Sequence, residues 1–364
     1  MNRRHFLQWS LAVGLSAKVC AADQPNGWEE ADKVLQQATA SGQVKSATLH
    51  VLQKGSAVTR AYGASTTNDS MFLLGSISKP ICVTALMRLY DQNEFQLSDK
   101  LSKYLPKFTG EGRENVTLRH VLTHTSGLPD QLANNAELRR SHAKLTKFVE
   151  HAQQAPLSFA PGTRYQYSSM GILLATHIAE KLSGKDILSL VEETVFRPLK
   201  MERSAQGLGR FSLDDMVPAQ TEFAAPEAGS GDPTAKSWDW NSLYWRKLGA
   251  PWGTTHCSAP DVAKFLSEYL FERGTVLKPE TARLVRTNQN PAGLKPRGIG
   301  FDVGPQLGGD GCSDETFGHT GSTGTLAWAD PATETICVVL TSLPARAVDP
   351  HPRQLASAPI AARG

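Results

Sequence analysis

The stretch Leu74-Gly75-Ser76-Ile77-Ser78-Lys79-Pro80-Ile81 decides how the rest of the chain is read. It sets a serine and a lysine three residues apart, where a glycine-bearing turn runs into a long apolar segment. On a helix, positions i and i+3 share one face, so the Lys79 amine is expected close to the Ser76 hydroxyl. A serine hydroxyl is a weak nucleophile until a neighbouring base takes its proton. Backbone N–H groups at a helix start also favour developing negative charge. The spacing therefore offers a nucleophile, an amine and part of an oxyanion site. Spacing alone is weak, because Ser141-His142-Ala143-Lys144 repeats it in a polar stretch without the glycine turn or the apolar helix.

Outward from Ser76, the residues Ile81, Val83, Leu86, Met87 and Leu89 make the following helix apolar nearly all round, and it is expected to end near Asn93 as a central, buried element. Upstream, Trp28 to Thr39 has helical periodicity, and two strand-like runs, Ala47 to Gln53 and Ala57 to Tyr62, flank the turn Lys54-Gly55-Ser56. Downstream, short helices and polar loops follow from about Leu97, including a helix over 116–124 and two more over 168–183 and 187–196. Residues 204–256, rich in Gly, Pro, Ser and Trp, read as long loops over a site or a lid. Ser258-Ala259-Pro260-Asp261 is a helix start with serine at the cap. Strand runs then return at Ile299 to Val303, Glu315 to His319, Thr325 to Ala329 and Thr335 to Leu340. The expected fold is α/β in the α+β sense, an antiparallel sheet flanked by helices. The sheet is built from both chain ends (23–96 and 257–345), with a mainly helical and loop region (97–256) inserted and a C-terminal tail over 346–364.

The 364 residues, 40% hydrophobic and 20% charged, can bury a sizeable core. Residues 1–22 carry Arg3, Arg4 and Lys18 and no acid. The basic start, the apolar run Leu11 to Val19 and the small residues at Ala21-Ala22 read as a twin-arginine-type export signal and a periplasmic destination. Cys20 offers lipid anchoring as an alternative, disfavoured by the bulky Val19 before it. Without that segment the chain holds 35 basic and 35 acidic side chains, a balance that gives no reason to expect a nucleic-acid partner. No later stretch is long and apolar enough for a membrane span. The remaining Cys82, Cys257, Cys312 and Cys337 include no C-x-x-C pair.

Four patches stand in an order that resembles the serine β-lactamase-like superfamily of class C β-lactamases, D-Ala-D-Ala carboxypeptidases and related esterases. They are Gly75-Ser76-Ile77-Ser78-Lys79, the run Thr117 to Pro129, Pro161-Gly162-Thr163-Arg164-Tyr165-Gln166-Tyr167-Ser168-Ser169, and Gly318-His319-Thr320-Gly321-Ser322. The resemblance implies Ser76 as nucleophile, Lys79 as its amine partner, Tyr167 as a second base and an oxyanion hole from the N–H groups of Ser76 and Ser322. Tyr165 is read as packing. The resemblance implies a substrate role for His319, Thr320, Gly321 and Ser169, while Gln131 is a candidate polar contact from its place after the Ser126-Gly127-Leu128-Pro129 turn. No cofactor and no metal ion are called for: His120 and His124 are four apart, but Val121 stands where a zinc protease needs glutamate.

Two departures from the family pattern set the expected substrate. Ser169 replaces the usual asparagine, and His319 replaces the lysine of K-T-G. A histidine near its ordinary pKa of ~6.5 is mostly neutral at pH 7, which weakens recognition of a substrate carboxylate. The expected function is an exported serine hydrolase that acylates Ser76 and acts on small esters or amides. The alternatives are a β-lactamase or a D-Ala-D-Ala carboxypeptidase or D-aminopeptidase, and, less favoured, a non-catalytic cell-wall-binding relative. Which of Lys79 and Tyr167 takes the serine proton stays open. So does the role of Trp238, Trp240, Trp245 and Trp252, as pocket wall or lid packing.

Overall fold

The computed structural model describes residues 25–362. The expected export signal over residues 1–22 and Cys20 lie outside them. Strands β1 (Ala47–Gln53) and β2 (Ser56–Tyr62) form the expected hairpin. Short strand β3 (Phe72–Leu73) precedes Ser76, and β4 (Ser204–Gln206) and β5 (Thr255–Cys257) lie far downstream. The chain closes with β6 (Asp302–Val303), β7 (Phe317–Gly321), β8 (Thr325–Asp330) and β9 (Thr335–Thr341). One six-stranded antiparallel sheet runs in the order β2-β1-β9-β8-β7-β6, so the N-terminal hairpin joins the C-terminal meander at the β1–β9 pair, with Ala47 opposite Thr341. The sheet from both chain ends is thus as the strand runs implied.

Both faces of this sheet are covered, and β9 shows how. Along the strand, Ile336, Val338 and Leu340 join one core, while Cys337 and Val339 join another. This is the period-two alternation of a strand buried on both sides. The Cys337 side packs against Trp28 and Leu35 of the helix Trp28–Ala40 and Ile360 of the helix Pro352–Ala361. The Val338 side meets Phe265 and Tyr269 of the helix Ala259–Leu270 and, beyond it, the helix Ser78–Asp91. In the last of these every residue except Arg88 and Tyr90 is buried, as its all-round apolar pattern predicts.

Three features differ from the sequence reading. Residues 346–364 are read as a tail, yet Pro352–Ala361 is a helix capped by His351 and packed beside the N-terminal helix. Its small residues (Ala356, Ser357, Ala361) let it lie close, at the cost of a strong hydrophobic signal. From the 204–256 region, β5 pairs with both β3 and β4 in a second, three-stranded sheet of order β3-β5-β4. These strands are two or three residues long, too short for alternation to show. The Ile299 to Val303 run pairs only over Asp302–Val303, because Gly300, at φ 84, turns the chain beforehand.

Candidate active site

Ser76 sits in a single 3₁₀ turn, Gly75–Ile77, that feeds directly into the helix Ser78–Asp91. Gly75 has φ 58, and a Cβ there would come within 2.9 Å of Thr323 Oγ1 and 3.2 Å of the Ser322 nitrogen. Glycine is thus required twice, for the left-handed turn and for the close approach of the β7–β8 turn. That turn is held down from the other side as well. Thr323 Oγ1 donates to Leu73 O at 2.6 Å and Thr325 Oγ1 to Leu74 O at 2.7 Å. A Cβ on Gly321 would lie 2.1 Å from Leu74 O, which explains the glycine of His319-Thr320-Gly321. The Ser322 N–H has no protein acceptor among the described residues and stands beside the Ser76 turn.

Lys79 is fully buried, and its Nζ lies 2.9 Å from Ser76 Oγ and 3.2 Å from Trp252 O. Among the described residues no carboxylate pairs with it directly. Burial pushes its amine down to about 7, with Asp130 opposing the fall and Arg297 adding to it. Above that pH the neutral amine donates to Trp252 O and has a lone pair for the Ser76 proton.

Tyr167 stands 4.7 Å from Lys79 Nζ, measured to the ring centroid, and its hydroxyl is close enough to Ser76 for the serine to lower its pKa. The segment around it is clamped to the loop after the helix Leu118–Leu122. Gln166 N donates to His124 O, Ser168 N to His124 Nδ1 and Ser168 Oγ to Pro129 O. Ser168 also caps the helix Ser169–Ser183 through the Gly171 N–H. His124 packs under Tyr167 with ring centroids 4.5 Å apart, and His120 closes a capping box with Thr117. The two histidines therefore serve separate structural duties. Burial raises the Tyr167 phenol above its ordinary value, while Arg297 and Ser76 pull the other way. Tyr165 lies off to the side, edge-on to His124 and under Lys295, consistent with packing.

His319 is neutral, but for a reason the sequence does not display. Its Nδ1 donates to Thr320 O at 2.7 Å, which leaves Nε2 as an acceptor facing Arg297 Nη2 at 2.9 Å. A guanidinium has no lone pair, so this tautomer is the one the contacts permit. Burial pushes the imidazole down to about 3; Asp302 opposes that fall, and Arg297 and Lys79 add to it. Arg297 is itself fully buried, bonded to the Asp302 carboxylate and to Gly300 O, and lies 5.6 Å from the Tyr167 ring centroid. His319 lies beside Tyr167, with ring centroids 6.0 Å apart, and His319, Thr320 and Gly321 do not line the cavity, where the sequence reading expected them to meet substrate.

The cavity at Ser76 measures about 190 Å³. Among its lining residues are Ser76, Tyr167, Ser169, Gln131 and Ser322 from the sequence reading, together with Trp240, Trp245 and Trp252 from the 204–256 segment. Three of the four tryptophans are therefore pocket wall, and Trp238 is instead buried behind it. The lining also includes Asp130 and Arg139, which the sequence reading passed over. Asp130 is bound by Ser169, whose Oγ and N both donate to its Oδ1, at 2.5 and 2.9 Å. Arg139 is spent on the wall: its two terminal nitrogens donate to Glu227 O and Trp238 O, and it stacks 3.9 Å from the Trp245 centroid. A larger, open groove of about 670 Å³ runs past Lys144 and Tyr244, but it contains no nucleophile–base pair. Ser141 of the second S-x-x-K donates to Leu138 O, which leaves Lys144 without a serine to activate.

A half-buried serine bonded to a fully buried lysine, with a tyrosine ring beside the amine, in a fold with an antiparallel sheet covered on both faces, matches a known family. The family described as Beta-lactamase fits residues 31–360. The chain belongs to the Beta-lactamase family. Among its relatives, esterase EstB of Burkholderia gladioli is 33% identical over 158 residues, 39% of this chain and 40% of that protein. Penicillin-binding protein 4 of Amycolatopsis lactamdurans is 29% identical over 246 residues, 65% of this chain and 62% of that one. The matches span less than two thirds of either relative. Among solved structures, EstCE1, described as a hydrolase with promiscuous acyltransferase activity, superposes with a TM-score of 0.72 at 21% identity, covering 92% of this chain and 98% of that one. The chain thus has the lineage of the Beta-lactamase family and shares its fold. Among the described residues, no helix is long and apolar enough to cross a membrane.

Proposed function

We propose that this Beta-lactamase-family enzyme hydrolyses small esters or amides that lack a carboxylate next to the reacting group, through an acyl-enzyme on Ser76. The observation that supports it most strongly is the Lys79–Ser76 contact of 2.9 Å at a fully buried amine. Neutral Lys79 takes the Ser76 proton as Oγ bonds to the substrate carbonyl carbon. The carbonyl oxygen becomes the oxyanion, received by the N–H groups of Ser76 and Ser322. The tetrahedral carbon then expels its leaving group, which takes a proton from the Tyr167 hydroxyl, and Lys79 returns the serine proton to Tyr167. Deacylation repeats the steps with water in place of Ser76 as the attacking hydroxyl and restores the serine.

Substrate preference follows from charge. The cationic groups near the chemistry are Lys79, Arg297 and Arg139, and none presents a free fork to the cavity. Arg297 is tied to Asp302, Gly300 O and His319, and Arg139 to two carbonyl oxygens. A β-lactam or peptide carboxylate would find Asp130 there instead. The test is a panel of short-chain aryl esters, a chromogenic cephalosporin and D-Ala-D-Ala peptides. Aryl esters should be turned over at least roughly 100-fold faster in kcat/KM, the value of one charged contact. Faster cephalosporin or peptide hydrolysis sinks the proposal.

The C-terminal helix enters the same reading. Arg353 Nη1 donates to Thr325 O at 2.8 Å and to Gly321 O, the two ends of the turn that carries Ser322. Arg353 is therefore a positioning residue for the oxyanion amide. Arg353→Ala should lower kcat by roughly tenfold with KM little changed, a fraction of what losing an oxyanion donor costs. A rise in KM at constant kcat would contradict this role.

A further inference from the structure

The short helix Leu243–Lys247 serves two cavities. Its Trp245 lines the Ser76 cavity, while Leu243, Tyr244 and Lys247 line the open groove of about 670 Å³. With Leu248, that second set shares one face of the helix. Leu145 extends the apolar floor from another segment. The His142 ring stacks on Tyr244, with centroids 4.7 Å apart and planes at 22°, and the Tyr244 hydroxyl donates to Ala143 O at 2.9 Å. The aromatic wall is therefore held in place. Around it stand Lys144, Lys236 and Lys247, carried by three separate segments, and no carboxylate lines the groove. Among the described residues none of these three ammonium groups has an ion-pair partner, and the acids nearest in sequence are taken: Asp232 pairs with Arg140 and Glu150 with Lys147. Outside the first 22 residues the chain holds 35 basic and 35 acidic side chains, so this rim is a local excess of positive charge.

We propose that this groove is a second binding site, separate from the Ser76 cavity, for a small aryl carboxylate whose ring rests on Tyr244 and the leucines and whose charge meets the lysine rim. The proposal goes beyond the acyl-transfer reading and does not depend on it. Its volume lies in the range of small-molecule sites, several times the 190 Å³ at Ser76. Lysine is a mobile point charge, so three around one rim complement a carboxylate without a fixed fork. An inorganic anion alone would leave the apolar floor wet. A lipid surface needs a broad protruding apolar face, and Leu243, 48% exposed, is the one large apolar side chain of the lining that is exposed.

The experiment titrates 2-naphthoate, the neutral 2-naphthylmethanol and the cationic 2-naphthylmethylamine into the protein by calorimetry at neutral pH, where acid and amine are both ionised. Wild type should bind 2-naphthoate roughly 10-fold more tightly than the alcohol, the worth of a few exposed charge contacts, and the amine most weakly. In the double variant Lys144→Glu, Lys247→Glu that order should reverse. Aryl-ester turnover by this variant should stay within about twofold of wild type, because neither lysine lines the Ser76 cavity. Equal affinity of wild type for 2-naphthoate and the alcohol overturns the proposal, as does undiminished 2-naphthoate binding by the variant. A larger loss of turnover would show that the groove is not separate from the Ser76 site, and it too overturns the proposal. So does sedimentation of wild type with phosphatidylglycerol vesicles without binding of 2-naphthoate. Should the variant fail to fold, salt decides on wild type. Raising NaCl from about 0.05 to about 0.5 M should weaken 2-naphthoate several-fold and not the alcohol, and parallel behaviour of the two overturns the site.

Discussion

Ser76→Ala should reduce esterase activity by on the order of 10⁴-fold or more while leaving the thermal midpoint within about 2 °C of wild type. Among the described residues Ser76 is the hydroxyl bonded to Lys79 Nζ, at 2.9 Å, so no neighbour can replace it as nucleophile. Its side chain contributes little packing, because it sits at the cavity wall rather than in the core. The change removes one hydroxyl and leaves Gly75, the β7–β8 turn and the helix start untouched. Ser141→Ala serves as the internal control. Its hydroxyl does no more than cap Leu138 O at the end of a short helix, so activity should stay within a factor of about two. Kinetics on both variants with one aryl ester, beside a thermal melt, check the pair. Activity retained in Ser76→Ala would remove the serine from the mechanism.

The second large effect belongs to Lys79. A lysine buried without a paired carboxylate costs stability whenever it is charged, and its value near 7 expresses that cost. Lys79→Met keeps the length and apolar stem and discards the charge. It should abolish turnover, since the proton acceptor is gone. It should also raise the thermal midpoint at pH 6 by on the order of a few °C. The sign follows from linkage. The folded-state value lies below the ordinary lysine value near ~10.4, so between about 7 and ~10.4 the unfolded chain binds more protons at this site than the folded one. Folding is thus penalised most below about 7, and the advantage of methionine should shrink as pH rises through that window. The same group sets the rate. In wild type kcat/KM should climb through about pH 7 and level off as Lys79 loses its proton. Burial pushes His319 down to about 3, so it contributes nothing to that limb. A midpoint below 5 in the rate profile, or a less stable methionine variant, would refute the role given to the buried amine.

The parts of the site that could be read in the sequence are those whose chemistry is local. Ser76 and Lys79 share one helical turn, and the apolar run behind them is long enough to declare a buried helix. The hairpin and the C-terminal strands were legible because each alternates or is β-branched over five or more residues. The unread parts depend on contacts between distant segments. Arg297 meets His319 from 22 residues upstream, and nothing at either position announces the other. Arg353 reaches the β7–β8 turn from a helix whose small residues conceal it as a tail. Asp130 lay beside the residue chosen, Gln131. The signal that could have found it was Ser169 itself: a short hydroxyl in place of an amide leaves room that a neighbouring side chain must fill. The neutral state of His319 was right in direction, while its cause, burial against a guanidinium, required the fold.

The decisive measurement is mass spectrometry of wild type quenched during turnover of an aryl ester, followed by peptide mapping. An acyl group is expected on the peptide that contains Ser76, with the adduct absent from Ser76→Ala and Lys79→Met. Turnover with no adduct at any stage of the burst, or an adduct on another residue that persists in Ser76→Ala, would contradict the account.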